Sequence, residues 1–65
     1  MRLEIKIRGK SVNIYNNGDL WFDGKNTGLR QWKDNPKAWG NQSGQQITDL
    51  YGKSPEEVLI YKGFL

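Results

Sequence analysis

The sequence predicts a small α+β fold: an antiparallel β-sheet made of an N-terminal meander and a C-terminal strand, one short helix, and an irregular, tryptophan-rich middle. Two observations predict the meander. Leu3, Ile5 and Ile7 alternate with Arg2, Glu4, Lys6 and Arg8, and Val12 and Ile14 alternate with Ser11, Asn13 and Tyr15, the period of half-buried strands. Gly9-Lys10 and Asn17-Gly18 punctuate these runs as two-residue turns, and Asn-Gly suits the positive φ that a type I′ turn needs at both central positions. The third observation is the recurrence of Ile47, Leu50 and Tyr51 at spacings of three and four, which predicts a short helix over residues 44–51.

Those turns imply a register. A turn at Gly9-Lys10 pairs Ile7 with Val12 and Ile5 with Ile14. A turn at Asn17-Gly18 pairs Tyr15 with Leu20 and Ile14 with Trp21. Leu3, Ile5, Ile7, Val12, Ile14 and Trp21 then share an inner face, and Tyr15, Leu20 and Phe22 fall on the outer one.

Beyond the meander, residues 23–28 read as a loop by composition. Lys25 and Thr27 stand where a calcium loop needs its second and third ligands, which excludes that site. Leu29 and Trp32 share one side of a short helix over 29–33, which Asp34-Asn35-Pro36 ends. Pro36 suits the first position of another helical turn carrying Ala38 and Trp39, and residues 40–44 form a polar break. Ser43 is placed to cap the 44–51 helix, with Gly52 after its end. In the tail, Ser54-Pro55-Glu56-Glu57 has the pattern of a capping box, while Val58-Leu59-Ile60-Tyr61 is a β-prone run. The expectation is one helical turn over 54–57 followed by a strand from Val58.

Two blocks resemble the ubiquitin-like β-grasp family. Residues 1–15, with their Gly9-Lys10 turn, are similar to its opening hairpin, and residues 46–63 are similar to the end of its helix, the following turn and the next strand. The resemblance implies a β-grasp-like interaction module. It carries no conjugation activity, because the C-terminal Gly-Gly is missing.

Composition narrows the function. A chain of 65 residues makes a single domain, 1–65, near the lower size limit for independent folding, and its hydrophobic content is only 35%. Three Trp, three Tyr and two Phe must therefore supply much of the buried area, with homodimerisation as a further source of stability. No Cys or His is present, no acidic cluster suggests a metal, and no cofactor is expected. Asp19 and Asp23 lie roughly 13 Å apart along one predicted strand, too far for a catalytic carboxylate pair. The chain reads as a non-enzyme, without a membrane span or a signal peptide, and hence cytoplasmic.

The leading expectation is a non-enzymatic protein-interaction module, of the type of phage or mobile-element accessory proteins that inhibit a host protein by occupying its surface. Its partner-binding residues are Tyr15, Leu20 and Phe22, with Lys6 and Arg8 at the rim. The alternative is a nucleic-acid-binding domain. Residues 1–40 carry eight basic and four acidic side chains, a balance of +4 against a total of +3. Within them Arg30, Trp32, Lys33, Lys37 and Trp39 interleave cations with rings that either stack on bases or plug the core.

Overall fold

The computed structural model describes residues 2–65. Strands β1 (Leu3–Ile7), β2 (Lys10–Ile14), β3 (Asp19–Phe22), β4 (Lys25–Gln31) and β5 (Trp39–Asn41) lie in sequence order across one antiparallel sheet. A 3-10 turn at Thr48–Leu50 and helix α1 (Pro55–Lys62) follow. The small α+β class holds, but the meander runs through five strands, and the middle of the chain belongs to it.

Turn chemistry explains the differences. The first reversal is Arg8-Gly9, at φ 51° and 79°, and not Gly9-Lys10. Ile5 therefore pairs with Val12 and Leu3 with Ile14, two positions from the predicted register, so every side chain keeps its predicted face. At the second reversal only Gly18 has positive φ, and the Tyr15 N–H bonds to the Asp19 carbonyl at 2.9 Å. The loop is thus three residues, Asn16-Asn17-Gly18, a type I turn closed by a left-handed glycine. Val12 faces Phe22 and Ile14 faces Leu20, one position from the predicted register. A slip of one exchanges faces, so Leu20 and Phe22 are core and Trp21 is outside.

The predicted loop at 23–28 is the third hairpin. Asp23-Gly24 turns at φ 51° and 80°, the pattern of a type I′ turn, and β4 starts at once. Residues 29–33 are not helical, because Leu29, Arg30 and Gln31 pair with Asn41, Gly40 and Trp39 of β5. Between its pairings with Trp21 and Asp19, β4 bulges. The buried Thr27 hydroxyl spans that bulge, donating to the Leu20 carbonyl at 2.7 Å and accepting from the Leu29 N–H at 3.2 Å. Pro36 sits in a turn that leads through Ala38 to Trp39 at the start of β5 instead of opening a helix.

The predicted 44–51 helix is reduced to the turn at Thr48–Leu50, and Ser43 bonds to Asn41 Oδ1 and caps nothing. The predicted strand Val58–Tyr61 is helix. Ser54 accepts from the Glu57 N–H, Glu57 accepts from the Ser54 N–H, and Pro55 opens the first turn. At the other end Gly63, at φ 96°, donates to Ile60, and the Phe64 N–H returns to the Leu59 carbonyl, the Schellman pattern. These two caps outweigh the β propensity of Val58 and Ile60.

The core is one cluster on the inner face: Val12, Ile14, Leu20, Phe22, Leu29 and Trp39 from the sheet against Leu50, Val58 and Leu59. Trp39 is fully buried, and its indole N–H donates to the Lys53 carbonyl at 2.9 Å, so the polar edge is satisfied. Phe64 closes the end of the cluster against Phe22, with ring centroids 5.9 Å apart.

Loss of the capping box should be measurable. Ser54→Ala should cost about 1 kcal/mol, seen as a lower urea midpoint. The hydrogen bonds from the Ser54 backbone, and then those with its side chain, hold the Glu57 carboxyl below its ordinary value of 4.5. A depressed carboxylate stabilises the fold above that value and ceases to as pH falls through the lowered one. The gap in midpoint between wild type and Ser54→Ala should therefore narrow in acid.

Candidate functional site

Strand alternation decides what the uncovered face presents. Glu4, Lys6, Ser11, Asn13, Asp19, Trp21, Asn26 and Arg30 share the face opposite α1, with Asn13 paired across to Trp21 and Trp21 to Asn26. Tyr15 continues this face beyond β2 and meets Trp21 edge-on, at 5.7 Å between centroids and 70° between planes. Trp21 is half-buried and Tyr15 is exposed. Such an edge-to-face pair holds both rings in place while leaving area open.

The second aromatic element is Trp32, just past β4. Its N–H bonds to the Ala38 carbonyl at 3.0 Å, and its ring lies on Gly40. A methyl group at position 40 would collide with both that ring and the Gln45 carbonyl. What the sequence suggests as a break is therefore a flat seat for an indole.

Two shallow grooves join these elements. One runs past Tyr15, Trp21 and Arg2, the other past Trp32, Arg30 and Gln31, and both are lined by Asn17 and Lys33. The strip thus runs from Trp21 to Trp32 with Lys33 between. Its charge is cationic once pairs are removed. Asp19 faces Arg30 across the strands with a contact of 2.7 Å, and Glu4 reaches Arg2 at 3.4 Å. Among the described residues Lys33 has no carboxylate partner. Opposite Trp21, the buried Asn13 Oδ1 has no hydrogen-bond partner among the described residues, a cost the fold carries at this face.

The predicted sites are redistributed. Of the partner-binding set, Lys6 and Tyr15 lie on the uncovered face, Lys6 donating to Ser11 Oγ at 3.0 Å. Leu20 and Phe22 are in the core, and Arg8 is turned to Glu56 at 3.1 Å, so the five do not form one surface. Of the basic-aromatic set, Arg30, Trp32 and Lys33 line the strip, Lys37 is exposed in the turn before β5, and Trp39 is core. Trp21, which the predicted register puts in the core, is the residue of the strip that the sequence reading missed. The clue lay in reading Asn16-Asn17-Gly18 as a three-residue loop.

Asp19 and Asp23 stand at the start of β3 and in the turn after it, the former engaged by Arg30. Among the described residues no three His, Cys, Asp or Glu side chains gather as a metal site, and no helix is long and apolar enough to cross a membrane. No protein-family model, no curated protein and no solved structure matches this chain.

The three tryptophans should separate in stability measurements. Trp39→Ala should cost about 3–5 kcal/mol, enough to unfold so small a domain. Trp21→Ala should cost less than Trp39→Ala, because Trp21 is only half-buried and loses its pair with Tyr15, worth about 0.5–1.5 kcal/mol, besides that partial burial. Gly40→Ala should destabilise by about 1–3 kcal/mol, because the added methyl displaces both the Trp32 ring and the Gln45 carbonyl.

Proposed function

We propose that this chain is a non-enzymatic binding module whose uncovered sheet face holds single-stranded nucleic acid. One observation carries the reading: Tyr15–Trp21 and Trp32 stand at the two ends of a strip with Lys33 between them and its carboxylates paired. Base–aromatic stacking contributes roughly 1–3 kcal/mol per base without regard to sequence, and nearby cations meet the intervening phosphates. Lys33, which lines both grooves, is placed for that second task, and the formal charge of +3 favours a polyanion. The side-chain amides of Asn17 and Gln31 beside the strip each hold bonds within the fold, to Asp19 and to the Pro36 carbonyl, and keep further donor and acceptor capacity for base edges.

A protein partner is the competing reading. It loses its two aliphatic and aromatic anchors, Leu20 and Phe22, to the core, and retains Tyr15 and Lys6 on the exposed face.

Titration with oligothymidylate should quench tryptophan fluorescence, and the affinity should fall as salt rises. Lys33→Ala should weaken binding evenly across sequences and reduce the salt slope by about one. Trp21→Ala should lose roughly 1–3 kcal/mol of affinity while remaining folded. Absence of any response at about 50 mM salt, where phosphate contacts are strong, would reject the reading in favour of a protein partner.

A further inference from the structure

The two edges of the sheet are treated differently. Beyond β5 the chain returns along the edge: Gly40 bridges Gln46, the Asn41 N–H bonds to the Gln45 carbonyl at 2.9 Å, and the Ile47 N–H bonds to Trp39 at 2.8 Å. The β1 edge has no such cover. Among the described residues, β1 pairs only with β2. The Ser11 carbonyl bonds to the Asp23 N–H at 2.7 Å, so Ser11 faces β3 and its opposite number Lys6 points its backbone outward. Glu4, two residues away, does the same. An edge of this kind is a template for another strand, and neither proline nor a bulge interrupts it.

We propose that β1 pairs antiparallel with β1 of a second copy of this chain, about a two-fold axis at Ile5. Charge complementarity selects this register. Glu4 then faces Lys6 of the partner subunit, twice by symmetry, on the uncovered face. These are the residues whose backbone groups point outward, so each pair exchanges both hydrogen bonds. On the inner face Ile5 meets its own copy and Leu3 meets Ile7 of the partner subunit. That pairing covers Leu3, which is 57% exposed, and the half-buried Ile5 and Ile7.

The neighbouring registers are worse. A shift one way sets Glu4 against Glu4 and Lys6 against Arg2; a shift the other way sets Lys6 against Lys6 and brings Glu4 only to Arg8, which lies beyond the strand and is engaged by Glu56. Any single-residue offset places charges opposite apolar side chains. Arg2 does approach Arg8 of the partner subunit in the favoured register, but Arg8 lies beyond the strand and is engaged by Glu56.

Sedimentation without nucleic acid tests the pairing independently of the binding reading. Wild type should sediment at twice the chain mass at high micromolar concentration. Glu4→Lys and Lys6→Glu, both at exposed positions, should each halve that mass. The double variant Glu4→Lys/Lys6→Glu should return to twice the chain mass, because positions 4 and 6 face each other in this register alone and the swap restores their opposite charges. It carries the test if circular dichroism shows either single variant misfolded. A monomeric wild type, a folded single variant that stays dimeric, or a double variant that stays monomeric overturns the proposal.

Discussion

The closure of Tyr15 on Asp19 across Asn16-Asn17-Gly18 is the constraint from which the rest of the molecule follows. Side chains along a strand alternate, so the parity of this loop decides which half of β3 faces inward. With three residues in the loop, Leu20 and Phe22 join Val12 and Ile14, and the inner face is continuously apolar. Gly18 ties the loop to β4 as well. Its carbonyl accepts from the Gln31 N–H at 2.9 Å, and a side chain at position 18 would strike the Gln31 carbonyl. The residue that permits the loop thus also permits β4 to reach its end.

An inner face fixed in this way needs a cover, and the C-terminal third supplies one. Without disulfides, the domain relies on fully buried Trp39, Leu50, Val58 and Leu59 to close a two-layer core. Polar links hold the cover in register. The Trp39 indole bonds to Lys53, the Gly52 N–H bonds to Lys37 at 2.7 Å, and Arg8 in the first turn meets Glu56 at the start of α1. The exposed Arg8–Glu56 contact adds little energy by itself but connects the two ends of the chain's path.

How much was legible in the sequence depended on whether the deciding term was local. The alternation of Leu3 to Ile7 and of Val12 and Ile14 located β1 and β2, because period-two burial is written in adjacent residues. The capping signals at Ser54–Glu57 were equally local and correct. Gly63, at φ 96°, closes the same helix from its far end, so the box opens a helix over Pro55–Lys62 and not a single turn. Residues 25–31 read as a loop and the start of a short helix, because a strand of Lys-Asn-Thr-Gly-Leu-Arg-Gln has little β propensity. It is a strand through its pairing with β3 and β5, with Thr27 spanning its bulge, and these contacts are made across sequence distance. The basic and aromatic residues of the candidate strip were half visible. Arg30, Trp32 and Lys33 are contiguous in sequence, whereas Trp21 joins them only when the loop parity is known.

The three tryptophans show why core and candidate site are inseparable in so small a chain. Trp39 fills the inner layer, Trp32 rests on Gly40 at the sheet margin, and Trp21 lies half-buried against Tyr15 on the uncovered face. Because the aliphatic residues are gathered on one face, the other holds Ser11, Asn13 and Asn26, and its aromatic rings are not needed to close the core. That face is therefore free of the demands of the core, and it tolerates an Asn13 Oδ1 that has no hydrogen-bond partner among the described residues. Yet its content is set by the same loop. One residue fewer between β2 and β3 would turn Trp21 into the core and expose Leu20 and Phe22, exchanging a basic-aromatic strip for an aliphatic one. The fold and the surface it offers are two consequences of one count of residues.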